Sequence, residues 1–422
     1  MSEIPGTLLL DPAVLEDPYP FYDRLRREAP VWRVPGTDVF VVSSFAAVSE
    51  VVGRVEDFSN NVLRLLYQDE HGLPQQLSFG DASFQALASA DPPRHTVHRR
   101  TVFPDLVARR MLDLEPDVDQ IATRCIQQLV ARGHGDFMAD VANVVPITMI
   151  SQLIGFHDSD PQRLLQAAFD STLMIGVTMT LDELQDLVAK SDDIGSWIGE
   201  QLTAAETGEA DDDVLLGTIA RGVADGAMTH QEGVIILHTL LSAGGESTTS
   251  LLGNAVRILA EHPDLQRQLR DDPTLVSAFV EEAVRLESPF RYLLRSVPAD
   301  TTLGGVDIPA DATLLLFWGA ANRDPDEFDR PDDVILDREV PRHHVAFGRG
   351  IHHCVGAPLA RLEARVVLTR LLAGTSSITL DPGQPPRRVE SLLVRRHETL
   401  PVIVAPRSSS SSRPGQARNQ RP

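Results

Sequence analysis

The sequence predicts a mainly α-helical protein with small peripheral β-sheets. Three observations carry that reading. From about 104 to 216, apolar residues recur at three- and four-residue spacing with few turn signals, the periodicity of a buried helix face. Residues 228–260 form a second long helical stretch. Short strand-like runs are confined to 31–42, 294–317 and 378–404. No linker divides 20–400 and no internal repeat is visible, so residues 1–406 read as a single domain.

In chain order, 31–42 reads as a hairpin turning at Pro35-Gly36. Residues 60–90 and 319–350 lack clear periodicity and are expected to be long ordered loops. The stretch 228–260 has Thr229 as its expected N-cap, and Glu232 three residues on completes a capping box. Residues 274–286 give the cleanest helix, with Val276, Phe279, Val280, Ala283 and Val284 on one apolar stripe. The region 294–317 alternates around turns at Gly304-Gly305 and Pro309-Ala310. Residues 357–372 predict a helix with Pro358 in its first turn, where a missing N–H costs nothing. The tail, 407–422, is Ser/Arg-rich, holds four arginines and no acid, and is expected to be disordered.

The chain has 422 residues, 42% hydrophobic and 23% charged, the balance of a globular protein. A net charge of −22 repels phosphate backbones and argues against nucleic-acid binding. Two cysteines exclude a disulfide scaffold and a Cys-only metal site, and fit a reducing compartment. The N-terminal segment lacks the positive flank and long apolar run of a secretory signal. The longest apolar stretch, 233–245, falls short of the ~20 residues that span a bilayer. A soluble, cytoplasmic protein without a membrane anchor is expected.

The most informative segment is Phe347-Gly348-Arg349-Gly350-Ile351-His352-His353-Cys354-Val355-Gly356, directly ahead of the helix at 357. A cysteine there meets unpaired amide N–H groups and the positive end of the helix dipole, which favour a thiolate. Such a thiolate can ligate haem iron. A buried structural cysteine, a catalytic nucleophile, or a zinc site using His343, His344, His352 and His353 are the alternatives. Cys125, in helical sequence, reads as an inert core thiol.

The decapeptide resembles the haem-binding signature of the cytochrome P450 family, and the resemblance extends from about residue 17 to 405. It implies the P450 fold and haem b (iron protoporphyrin IX) with Cys354 as axial ligand. By the same likeness Phe347, Gly348 and Gly356 surround the sulfur, and His352 touches a haem propionate. Glu282 and Arg285 resemble the family's E-x-x-R pair, sharing one helix face at i, i+3. The family's third partner is usually an arginine in the counterpart of Pro331-Asp332-Asp333-Val334. Here Asp333 stands at that place, so either Arg338 substitutes or the triad is incomplete. Arg295, His95 and Arg99 match cations that neutralise the propionates.

Ala243-Gly244-Gly245-Glu246-Ser247-Thr248 breaks helix propensity, since each interior glycine costs about 1 kcal/mol relative to alanine. Read alone it is a kink at a helix–helix contact. It is similar to the family's A-G-x-[DE]-T-[TS] motif, in which a disrupted helix opens a groove over the iron at Ala243 and Gly244. Glu246 is then the proton-relay acid, with Ser247 at the usual threonine and Thr248 as a second hydroxyl. With 318–325, this segment is similar to an orphan bacterial subgroup whose substrates are undefined.

The resemblance implies a monooxygenase that inserts one oxygen atom from O2 into a small hydrophobic substrate. Electrons would come from a ferredoxin and its NAD(P)H-dependent reductase. Arginines 338, 342, 349, 361, 365 and 370 against Glu339 and Glu363 suggest a basic docking patch for that acidic carrier. Leu240, Ala243, Leu293 and Leu294 are the expected substrate contacts. A peroxide-driven peroxygenase and a non-enzymatic haem-thiolate sensor are the competing readings.

Overall fold

The computed structural model describes residues 4–61, 63–78, 85–156, 159–208 and 214–407. The expected disordered tail lies outside the described residues, save Arg407.

The hub is the helix His230–Glu261, capped as its sequence predicts. Thr229 Oγ1 accepts from the Glu232 amide, and the Glu232 carboxylate accepts in return from the Thr229 amide at 2.7 Å. Its interior is apolar on nearly every side, with Leu237, Leu241, Leu252 and Leu259 fully buried. A helix of that composition must be wrapped by others. Helices Val145–Ile154, Pro161–Met174, Leu181–Glu206, Val276–Leu286 and Ala357–Gly374 pack around it. The last of these also packs along Ala108–Arg132. Within the predicted helical run 104–216, a short strand, His134–Asp136, pairs with Pro401–Pro406.

The helix carrying Gly244-Gly245 is not broken there. The glycines serve close approach instead. A Cβ on Gly244 would stand 3.0 Å from Ile150 Cγ1, and one on Gly245 3.1 Å from Ala168 Cβ. The propensity lost there is offset by packing against two neighbouring helices.

The sheets are peripheral. Val31–Arg33 and Val39–Val42 form the predicted hairpin, and Val39–Val42 pairs in parallel with Thr313–Leu316. Leu293–Ser296 closes that four-stranded sheet and carries Arg295 opposite Leu314. The segment 60–90 is not all loop, because Arg64–Gln68 and Pro74–Ser78 form an antiparallel hairpin. Leu65 and Leu66 are both buried, so no period-2 alternation announces the strand. No helix among the described residues is long and apolar enough to cross a membrane.

Candidate active site

The loop before Ala357–Gly374 is shaped by backbone. The Cys354 amide donates to the Phe347 carbonyl at 2.8 Å, and Gly348 and Gly350 take positive φ of 66° and 68°, where a side chain would be strained. The amides of Gly356 and Ala357 donate to the Cys354 sulfur. Burial pushes the thiol pKa up, those amides with Arg361 and Arg99 pull it down, and burial prevails. The helix end therefore assists a thiolate without securing it alone. Cys354 is exposed, but towards an internal cavity of about 1090 Å³ that it lines. Phe347, beside it, lies under the Arg361 guanidinium at 4.3 Å, and Arg361 is forked onto Glu281 at 2.7 and 3.0 Å.

Of the arginines and histidines that line the same cavity, His95, Arg99, Arg295 and His352 form no ion pair among the described residues. The rings of His95 and His352 are 4.1 Å apart, and His352 Nε2 is buried without a partner among the described residues. Burial, then repulsion from His95 and Arg295, pushes the His352 pKa down to about 3. Burial likewise takes Arg295 down to about 10, against weak support from Asp91. Its side chain donates only to the Leu294 carbonyl, at 2.7 Å, among the described residues. Desolvated cations without an ion pair are costly, so this arrangement fits a ligand bearing carboxylates, such as the two propionates of a haem on Cys354. The zinc alternative finds no support. His343 and His344 turn to Glu327 and Glu281, and no metal-holding cluster occurs among the described residues.

The Glu282–Arg285 pair is buried and forked, at 2.8 and 2.9 Å. Arg285 further donates to the carbonyls of Asn322, Pro331 and Asp333, which occupies its full set of donors. Arg338 Nε reaches Glu282 Oε1 at 2.9 Å, so Arg338 takes the third place that Asp333 leaves open. Glu281 does not compete for Arg285; it binds Arg361, Arg342 and His344.

The hydroxyl-bearing stretch divides. Ala243, Gly244, Ser247 and Thr248 line the cavity, with Leu240, Leu293 and Leu294. Ser247 Oγ donates back to the Ala243 carbonyl at 2.6 Å. Glu246 is not on the cavity wall. It is 1% exposed and its Oε1 accepts from Arg396 Nε at 2.7 Å, while Oε2 lies 3.3 Å from Thr172 Oγ1, a hydroxyl that also donates to the Phe169 carbonyl at 2.9 Å. Burial raises the Glu246 pKa, with Arg396 opposing. Arg396 and Thr172 carry no local sequence signal that would have found them.

The expected basic patch is largely neutralised. Arg338 is engaged by Glu282, Arg342 and Arg361 by Glu281, Arg365 by Glu115 and Arg370 by Asp119. Counting charges along 338–370 misses acids supplied by other helices.

Residues 210–402 match the family model described as Cytochrome P450. Cytochrome P450 144 of Mycobacterium tuberculosis is 39% identical over 393 residues, covering 92% of this chain and 89% of that protein. The chain belongs to the cytochrome P450 family. Vitamin D(3) 25-hydroxylase of Pseudonocardia autotrophica is 33% identical, covering 93% of this chain and 95% of its own length. The structure of the P450 CYP109Q5 from Chondromyces apiculatus superposes with a TM-score of 0.79 at 29% identity, covering 95% of this chain and 98% of that one. As a P450 the protein is a haem-thiolate monooxygenase that uses iron protoporphyrin IX.

Proposed function

We propose that this P450 oxidises a small hydrophobic substrate in the cytoplasm, with O2 as oxidant and a ferredoxin, reduced by an NAD(P)H-dependent reductase, as electron donor. The observation that carries the reading is the convergence on one cavity of Cys354 with His95, Arg99, Arg295 and His352, which have no ion pair among the described residues. Cys354 would ligate the haem iron, with Phe347, Gly348 and Gly356 shaping the sulfur's surroundings and Ala243 and Gly244 lying across the cavity. Arg295, His95, Arg99 and His352 would hold the propionates. When bound, the haem supplies electron transfer to O2 and the oxidising power that a protein side chain lacks.

The chain's own contribution is binding and proton handling. Leu240, Leu293 and Leu294 place apolar surface around the substrate. Ser247 and Thr248 offer hydroxyls at the cavity wall. Glu246 stands behind them, and its link to the cavity is Thr172, which both lines the cavity and lies beside the carboxylate. Proton delivery from Glu246 would therefore pass through Thr172, with Ser247 acting inside the cavity.

One observation favours the peroxide-driven reading as a second possibility: Glu246 faces Arg396 rather than the cavity. Two measurements test both. The reduced carbon monoxide adduct should show the red-shifted Soret band of thiolate ligation, and Cys354→Ala should lose it. Product formation with ferredoxin, reductase and NAD(P)H should exceed that with hydrogen peroxide alone; the reverse order would select the peroxygenase. A reduction rate that falls with rising salt would support a basic docking patch in spite of those ion pairs, and no salt dependence would count against it.

A further inference from the structure

The cavity wall away from Cys354 is not uniformly apolar. Where helices Pro161–Met174 and His230–Glu261 meet, Ser171, His238 and Thr239 line it together. Ser171 Oγ lies 2.7 Å from the Ala167 carbonyl and 2.9 Å from His238 Nε2. A carbonyl only accepts, so the single hydroxyl proton goes to Ala167. The imidazole must then donate its Nε2–H to Oγ. Burial holds the His238 pKa below its ordinary value, so the ring is neutral at pH 7 and carries one proton. Its Nδ1 is thus fixed as an acceptor, and it has no partner among the described residues. The Thr239 hydroxyl, next along the helix, is likewise without a partner among them.

The charges at this end narrow the ligand further. The arginines of the cavity wall belong to the cysteine-loop side: Arg349 is part of that loop, Arg99 acts on Cys354 and Arg295 on His352. His230 is engaged by Glu206 at 2.9 Å, and the exposed Asp192 contributes negative charge to the wall. A carboxylate placed here would meet no cation and one anion. Five residues, about 7 Å of helix axis, separate His238 from Ala243 at the reactive end.

We propose that Ser171, His238 and Thr239 form a hydroxyl-recognition subsite, and that the substrate is an uncharged, mainly apolar molecule whose hydroxyl donates to His238 Nδ1 and accepts from Thr239. This rests on the haem-bound monooxygenase reading above. It excludes free fatty acids as preferred ligands and sets the oxidised carbon several bonds from the anchored hydroxyl.

Three probes test it by substrate-type Soret shifts on the haem-loaded protein: dodecan-1-ol, its methyl ether and dodecanoate. The alcohol should bind about three- to tenfold tighter than the ether, the contribution of one neutral hydrogen bond. Dodecanoate should bind more weakly than the alcohol. His238→Phe should bring the alcohol-to-ether ratio near one. Ser171→Ala, which releases the tautomer, should lower it. A ratio near one in the unaltered protein, a ratio surviving in both variants, tightest binding by dodecanoate, or no shift with any probe overturns the subsite. Each is read on protein that shows the red-shifted carbon monoxide band. Loss of that band in the unaltered protein is instead the failure of the haem-thiolate reading.

Discussion

Arg396 Nε stands 2.7 Å from Glu246 Oε1, across 150 residues of chain, with its guanidinium 3.8 Å over the Phe169 ring. The acid of the central helix is therefore held by a strand-side arginine, and both side chains are almost fully removed from solvent. Arg396→Gln leaves a buried carboxylate without its cation. The expected loss is about 3 kcal/mol, at the lower end for a broken buried pair. Urea unfolding of the haem-loaded protein measures it. Combining Arg396→Gln with Glu246→Gln should cost less than the two single changes added, because the second removes the charge that the first strands.

Ser247 and Thr172 separate two routes for the proton. Ser247→Ala removes a hydroxyl inside the cavity, and Thr172→Val removes the only side chain that links Glu246 to the cavity wall among the described residues. Both variants are expected to consume more NAD(P)H per product and to release the difference as peroxide. The larger effect is expected from Thr172→Val. If Thr172→Val keeps full coupling while Ser247→Ala does not, the proton does not come through Glu246.

Arg285→Lys tests the geometry that supports the cysteine loop. Lysine replaces a planar fork by one compact ammonium with three donors, which cannot satisfy Glu282 and the carbonyls of Asn322, Pro331 and Asp333 together. The expected cost is about 3–5 kcal/mol, with poor haem retention. Arg338→Leu should cost less, since Glu282 keeps Arg285 and the Ile335 amide. Equal loss in the two variants would mean that Arg338 contributes as much to the site as Arg285.

These relationships mark where local sequence stops being informative. The capping box Thr229/Glu232 and the stripe from Val276 to Val284 were legible because each signal and its consequence lie within one or two helical turns. The cysteine loop was legible for the same reason, since its glycines, sulfur and helix start are contiguous. Arg338 could be named only as one of two options, because a short loop can deliver its third partner from more than one position. Arg396, Thr172 and the acids that neutralise the arginines of 338–370 come from distant segments, and no periodicity encodes such meetings. Gly244-Gly245 showed the converse: a propensity penalty was visible, but whether it marked a break or a close contact depended on Ile150 and Ala168. The hairpin after residue 64 was missed because it buries Leu65 and Leu66 in succession.

Glu363 gives a stability prediction with a definite sign. It lies on the helix after Cys354, is 1% exposed, and its Oε2 has no partner among the described residues. Burial raises its pKa to about 8 from an ordinary value of 4.5. Between those values the folded chain keeps a proton that the unfolded chain has released. Stability must then fall as pH rises from about 4.5 to about 8, because the native state binds the extra proton. Glu363→Gln is neutral at every pH and removes this slope. At pH 5 the variant and the parent should unfold at similar urea concentrations. At pH 8.5 the variant should be the more stable, by on the order of a few kcal/mol. Parallel pH profiles for the two proteins would show that the folded protein does not hold this carboxyl protonated.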